Sequence, residues 1–444
     1  MKKNEYGLLT AIAMIVGVVI GSGIFFKSDN ILVATGGSIS LGVIVFCLAA
    51  IAIIFGSLTI SELASRTSQA GGVISYAEDS YNKSVACAFG WFQTFLYFPT
   101  LIAVVAWVAG IYICMLFGLE STLNVQILIG LAIIIFLFIT NTLSAKLGGY
   151  FQNASTIIKL IPLIFIAVIG LIFGDVSKVS FSDIVTMQSA GWITAIAPIA
   201  FSFDGWIVAT SIGHEIKDSK RNLPKALIIA PIFILLVYIV YFVGISTYLG
   251  PDVVMGLGDG HVDLIANKIL GPFGAKIILI FVIISIIGTV NGLILGIIRL
   301  PYSLAIREMF PNSKKISKLD PKINMPLNSA LVGFALCIFW TIAHYFTTKL
   351  GLLSNSDISE ISITVSYVMY ILLYVKVFKL GREGEVKGVW RGLINPILAT
   401  LGSLIILIGS LGNELFWIYA LVCGVVILSS IVFWRKRVRE LELL

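Results

Sequence analysis

The sequence predicts an all-α integral membrane protein with twelve transmembrane helices, two of them broken near mid-membrane. Three observations lead there. Hydrophobic residues fill 58% of the 444 positions and charged residues only 12%, against about 25% charged in an average soluble domain. Apolar runs of about 18 or more residues recur along the whole length, as helical spans require, and not the alternating ten-residue strands of an outer-membrane barrel. Two of the runs are interrupted by glycine and polar residues that a continuous helix disfavours.

The runs lie near 7–26, 38–61, 85–118, 123–141, 152–174, 191–213, 226–249, 272–300, 327–347, 358–378, 391–411 and 415–434. Met1-Lys2-Lys3 leads into the first with no small-residue cleavage site, so it reads as a span and not as a removable signal. Inside it stands Val16-Gly17-Val18-Val19-Ile20-Gly21-Ser22-Gly23-Ile24-Phe25. In hydrocarbon every backbone polar group needs a partner, so an unwound stretch persists only inside protein or along a polar cavity. Glycine makes the break cheap and lets a ligand approach the main chain, which is how transporters commonly build substrate sites.

The second run closes with Ser61-Glu62-Leu63, and Glu62 is expected to pair with Arg66 one turn on. The fifth carries Lys159, 13 positions after Lys146, which is about 20 Å along a helix. A lysine stem does not easily snorkel that far, so it must meet protein or water. The sixth holds Phe201-Ser202-Phe203-Asp204-Gly205-Trp206, an acid beside a glycine at mid-span, expensive unless it faces a cavity or a partner. Trp206 reads as packing. After this span, His214-Glu215 with Lys217, Lys220 and Arg221 reads as a solvated turn. In the seventh, Tyr238 and Tyr241 read as packing residues that could also lend hydroxyls to a site or gate.

Interrupted helices opening two successive sets of five spans point to an inverted repeat, roughly 7–174 and 191–378, with the site between the halves. The spans within 391–434 fall outside the repeat. Hydrophilic stretches are short, the longest being 304–326 and 379–391, so 1–444 reads as a single membrane domain.

Lys and Arg collect on the cytoplasmic side. With the N-terminus inside, 24 of the 30 fall in cytoplasmic segments, Lys27, Lys178, Lys268, Lys276 and Lys349 lie outside, and Lys159 belongs to neither. Both termini are therefore expected in the cytoplasm, with the protein multi-pass in the cell membrane. The net charge of +7 is ordinary topology in the lipid bilayer and no nucleic-acid footprint. The five cysteines lie in or beside apolar spans and are odd in number, which argues against a disulfide framework; His214, His261 and His344 are scattered, so no metal site is expected. A membrane-embedded enzyme needs a nucleophile, or a histidine and an acid, at one depth. A sensor or proton-pumping subunit would align several lysines and acids, and here only Lys159 and Asp204 stand at mid-depth.

Together the Val-Gly-x-x-Ile-Gly-Ser-Gly-Ile-Phe string, the Phe-x-Phe-Asp-Gly-Trp string five spans later, Ser61-Glu62-Leu63 and Asn291-Gly292 resemble the amino acid, polyamine and organocation transporter superfamily. The chain is most similar to its L-amino acid transporter branch, and there to bacterial alanine-serine-cysteine exchangers. The resemblance implies the LeuT fold, alternating access and obligatory or near-obligatory exchange of neutral amino acids, and the chain reads as a sodium-independent exchanger of small neutral L-amino acids that needs no cofactor. A proton-coupled amino acid symporter is the alternative within transport.

The resemblance also assigns residues. Ser22 and Gly23 would hold the substrate carboxylate at the start of the second half-helix, Gly21 permitting the approach. The ammonium would meet acceptors at Val19, Phe201 and Asp204, with Phe201 also an aromatic lid. Asp204 either pairs with the ammonium or caps the second half-helix of its span, the cap being preferred. In sodium-coupled relatives of this fold a cation sits between spans one, five and eight. Here the Lys159 ammonium would fill that volume, donating to carbonyls of the first break and to Ser285 or Thr289; a lysine that loses and regains its proton would suit the symporter. Animal relatives attach a single-span heavy subunit through a cysteine between spans three and four. This chain has only Gly118-Leu119-Glu120-Ser121-Thr122-Leu123-Asn124 there, so no obligatory heavy subunit is expected.

Overall fold

The computed structural model describes residues 6–21, 23–179, 192, 196–258, 260–352, 357–411 and 416–442. Among them every regular element is helical, and the single β-bridge joins Tyr6 to Ile216. Ten helices among the described residues are long and apolar enough to cross a membrane.

Leu8–Val19 (α1) and Gly23–Phe26 (α2) are two pieces of the first apolar run. Ile39–Ala64 (α3) starts where Ser38 accepts from the Leu41 N–H. A short helix, Val73–Ser80, leads to the long span Lys83–Phe117 (α4), which Asn82 caps and left-handed Gly118 ends. Within α4, Gln93–Tyr97 widens into a π-turn, a distortion frequent at functional sites. Leu123–Leu143 (α5) is capped by Thr122, and Ala145–Phe173 (α6) by Ser144. The sixth apolar run gives Ile196–Phe201 (α7) and Val208–Ser211 (α8). Then come Ser219–Leu249 (α9), Gly274–Ile297 (α10), Leu327–Lys349 (α11), Glu360–Arg382 (α12), Asn395–Ser410 (α13) and Phe416–Glu442 (α14).

Small residues set the tight crossings, as expected where lipid removes the hydrophobic drive between helices. A Cβ on Gly170 of α6 would sit 2.2 Å from the Gly244 carbonyl oxygen of α9, and one on Gly402 of α13 would sit 2.4 Å from Ala52 Cα of α3. α1 packs against α6, α9 and α10. The most apolar window of α10 is 67% buried and that of α14 only 17%, so α10 runs through the centre and α14 along the rim. α13 packs closely on α3 and α12. Exposed Phe136, Ile139, Phe339, Trp417 and Leu428 belong to the outward faces.

Candidate functional site at the two helix breaks

α1 stops because its ladder closes early. Ile20 N donates to Val16 O at 2.9 Å, Gly21 N turns back to Val19 O at 2.9 Å, and Ile20 is extended with ψ 93°. The carbonyls of Gly17, Val18, Val19 and Ile20 are thus released from the helix. Ser22 lies outside the described residues. Gly23 begins α2. Gly21 faces open space, its nearest neighbour for an added Cβ being Thr289 Oγ1 at 3.6 Å.

The second break follows Phe201, whose side chain lies outside the described residues. Ser202 N and Phe203 N make turn bonds to Ile199 O and Ala200 O, and helix resumes at Val208. Gly205 must be glycine on two counts: its φ is +99°, and a Cβ there would lie 2.6 Å from Val18 Cγ1. The two breaks therefore touch. Tyr238 of α9 joins them, its hydroxyl placed to donate to Val19 O at 3.2 Å or Ser202 O at 3.0 Å. Tyr241 donates to Phe25 O at 3.2 Å.

Lys159 of α6 is fully buried beneath the first break. Its Nζ donates to Gly17 O and Ile20 O at 2.7 Å each and to Ser285 O of α10 at 2.9 Å. Three donors meet three acceptors, all of them backbone carbonyls. The Ser285 and Thr289 hydroxyls are not its acceptors. They donate to the same released carbonyls, Ser285 Oγ to Ile20 O at 3.1 Å and Thr289 Oγ1 to Gly17 O at 3.1 Å. Below this cluster an amide chain runs from Asn141 to Asn291 to Gln152 and on to Ala13 O, so Asn291 of the Asn-Gly pair serves to clasp α5, α6 and α10 to α1.

Asp204 does not cap the helix after its break. That helix starts at Val208, four residues on, and its N-cap Ile207 has no side-chain bond. The carboxylate instead accepts from the Tyr97 hydroxyl at 2.7 Å, with the Tyr367 hydroxyl and Gly205 N–H nearby, while Oδ1 is buried without a well-formed hydrogen bond. Sequence reasoning missed Tyr97 and Tyr367, which stand on spans three and ten among the chain's 15 tyrosines. Trp206 is fully buried and donates to the Tyr367 hydroxyl at 3.2 Å.

Val18, Val19, Gly21, Ser202, Asp204, Gly205, Tyr238 and Thr289 share one cavity of ≈ 330 Å³. Its wall continues along Leu101, Val104, Val105 and Val108 of α4 to a mouth with Lys27, Asp357 and Glu360. The opposite end of the bundle is closed beneath the breaks. There Glu215 is no solvated turn residue: it takes Arg299 Nη2 at 2.8 Å and Arg299 Nε on its other oxygen, and Arg299 is 1% exposed. Tyr6 bridges the same turn through its backbone, its N–H donating to Glu215 O at 3.1 Å and its carbonyl accepting from Lys217 N at 2.8 Å. Glu62 likewise pairs with Arg391 at 2.7 Å and Arg66 with Glu385 at 2.8 Å, so the expected Glu62–Arg66 pair is replaced by two bonds to the segment between α12 and α13. At the i, i+4 spacing Arg66 falls beyond Ala64, where α3 has ended. Among the described residues no His, Cys, Asp and Glu cluster has the makings of a metal site.

Two sets of backbone groups released from their helices thus border one cavity, with one buried cation fixing one of the sets. Residues 6–432 match the family model for amino acid permeases. The chain belongs to that family. It is 30% identical to a serine/threonine exchanger of Bacillus subtilis over 97% of this chain and 95% of the relative. It is 28% identical to the b(0,+)-type amino acid transporter 1 of Mus musculus over 97% and 87%, and 23% identical to the cystine/glutamate transporter of Homo sapiens over 83% and 74%. The permease is thus a multi-pass membrane protein of an amino acid transporter and exchanger family, and not an enzyme.

Proposed function

We propose that this permease exchanges small neutral L-amino acids, of the alanine, serine and cysteine type, across the cell membrane by alternating access and without sodium. In this reading the two broken helices complete a set of twelve spans with both termini in the cytoplasm, arranged as a LeuT-type five-plus-five inverted repeat over 7–174 and 191–378 with two further helices within 391–434. The observation that carries it is the Lys159 ammonium on the carbonyls of Gly17, Ile20 and Ser285. A bound sodium ion would draw on those same oxygens, and a fixed lysine supplies the positive charge permanently. No ion gradient is then spent, which suits one-for-one exchange.

The substrate carboxylate replaces its lost water with N–H groups at the start of α2, through Ser22 and Gly23, with Gly21 leaving room. The ammonium meets the carbonyls at Val19 and Phe201 and the carboxylate of Asp204, whose Oδ1 has no well-formed hydrogen bond and borders the cavity. The aliphatic wall of Leu101, Val104 and Val105 favours a neutral side chain, and the serine/threonine exchanger among the relatives supports a hydroxylated one. In this reading Phe201 is the aromatic lid that closes the site toward the outside.

The test is uptake of labelled alanine, serine and cysteine into liposomes holding the purified chain alone and loaded with unlabelled alanine. Uptake that needs internal amino acid, ignores sodium and needs no second polypeptide is expected. Uptake into empty liposomes driven by a pH gradient would replace exchange with proton symport, and inertness until another polypeptide is added would make a heavy subunit obligatory.

A further inference from the structure

A second cavity, of ≈ 900 Å³, opens at the end of the bundle beyond the Glu215–Arg299 pair, lined by Glu78, Lys83, His214, Asp218, Ser219, Lys220 and Arg307 among others. One wall is the start of α9. Asp218, the residue before it, has φ 47° and makes no side-chain bond to the helix. Its carbonyl takes the N–H groups of Arg221 and Asn222, and the earlier N–H groups of Ser219 and Lys220 have no intrahelical partner by the geometry of a helix start. Ser219 itself is 6% exposed, and its Oγ is buried with no hydrogen bond. A buried hydroxyl without a partner is costly and rare. His214 Nδ1, on the facing turn, is in the same condition.

The charges divide into spent and unspent. Arg307 is spent on Glu78, at 2.6 Å, and on Ser75 Oγ and Ser303 O. Lys83, Lys220 and Asp218 form no ion pair among the described residues, which leaves two ammonium groups and one carboxylate facing one space. That is the complement of a carboxylate and an ammonium on one small molecule.

We propose that this cavity is a second, weaker amino acid site, in which the transported zwitterion is held next to the closed end before or after it occupies the helix breaks. The proposal rests on the exchange reading above. The ligand carboxylate takes the Ser219 hydroxyl, the free N–H groups of α9 and Lys220, with Lys83 adding charge; the ammonium turns to Asp218. The Glu215–Arg299 pair separates the two sites, and His214 Nε2 stands 3.5 Å from Glu215 Oε1, so the second site borders the groups that must part when this end opens.

Binding of labelled L-serine to the purified full chain in detergent tests this. Wild type should give two components. Gly23→Leu should remove the tighter one, Ser219→Val the weaker, and Ser219→Thr, which keeps a hydroxyl, should retain both. In liposomes Ser219→Val should raise the half-saturating serine concentration about tenfold on the basic-loop side alone, with the other side and the maximal rate unchanged. One component in wild type that Gly23→Leu abolishes would overturn the second site and leave the exchange reading intact. A second component displaced by inorganic phosphate but never occupied by serine would overturn its assignment to an amino acid. No serine binding at all would overturn both readings.

Discussion

Lys159→Ala separates the role of the buried ammonium from simple packing. The change removes two charge-assisted bonds from α6 to the first break, those to Gly17 O and Ile20 O. At roughly 1.5–3 kcal/mol for a hydrogen bond to a charged group, the lost tether is on the order of 3–6 kcal/mol. Burying an ammonium costs several kcal/mol in return, so global stability should change far less than the local tether. Neither carbonyl is orphaned in the variant, because Thr289 Oγ1 still reaches Gly17 O and Ser285 Oγ still reaches Ile20 O. The expected outcome is a folded protein whose break is loose. Its maximal exchange rate in alanine-loaded liposomes should fall at least about tenfold, which corresponds to roughly 1.4 kcal/mol and so to only part of the tether. Lys159→Met, which keeps volume without charge, should lose as much. Circular dichroism and a thermal scan establish that both variants are folded. Wild-type kinetics in Lys159→Ala, or wild-type transport that requires a sodium gradient, would refute the reasoning.

Gly23→Leu should abolish serine binding while leaving the helical content unchanged, because a bulky side chain covers the N–H groups at the start of α2; unchanged affinity by equilibrium dialysis would move the site elsewhere. Burial pushes the Glu215 carboxyl up, but the charge and hydrogen bonds of Arg299 outweigh it and hold it below its ordinary 4.5. A carboxyl lowered in the folded state stabilises above pH 4.5 and stops doing so as pH falls through the lower folded value. Thermal scans against pH should therefore show wild type losing stability on that acid limb, with Glu215→Gln less stable at pH 7 by about 3 kcal/mol, since Arg299 is left buried and unpaired, and flatter below it. Identical acid limbs would remove the pair from the account. Single cysteines placed in 27–37, 175–190 and 250–271 on a cysteine-free background should react with an impermeant thiol reagent from outside intact cells; labelling only after permeabilisation would invert the topology.

Features carried by one stretch of chain were legible before any coordinates. Length of apolar run needs no tertiary information, since a span satisfies its own backbone bonds, and a break in it is announced by glycines at the break. The depth of Lys159 followed in the same way from its distance to Lys146. Pairing across helices was not legible, because every span is apolar on most of its surface and its rotation is set by neighbours. Hence Glu62 met Arg391 rather than Arg66, Glu215 met Arg299, and Tyr97 and Tyr367 converged on Asp204 from spans that gave no signal of it.

By itself, then, the sequence determined the number and order of apolar runs, the two breaks and the deep lysine, all consequences of the demand that backbone and charge find partners within hydrocarbon. The tertiary structure decided which partners those are. Lys159 contacts carbonyls and leaves the hydroxyls of Ser285 and Thr289 as co-donors, and Asp204 binds a tyrosine instead of capping a helix. Helix rotation and crossing distance fix those choices, and they depend on where a glycine lets a neighbour close in, as Gly170 does for the Gly244 backbone and Gly205 for the Val18 side chain.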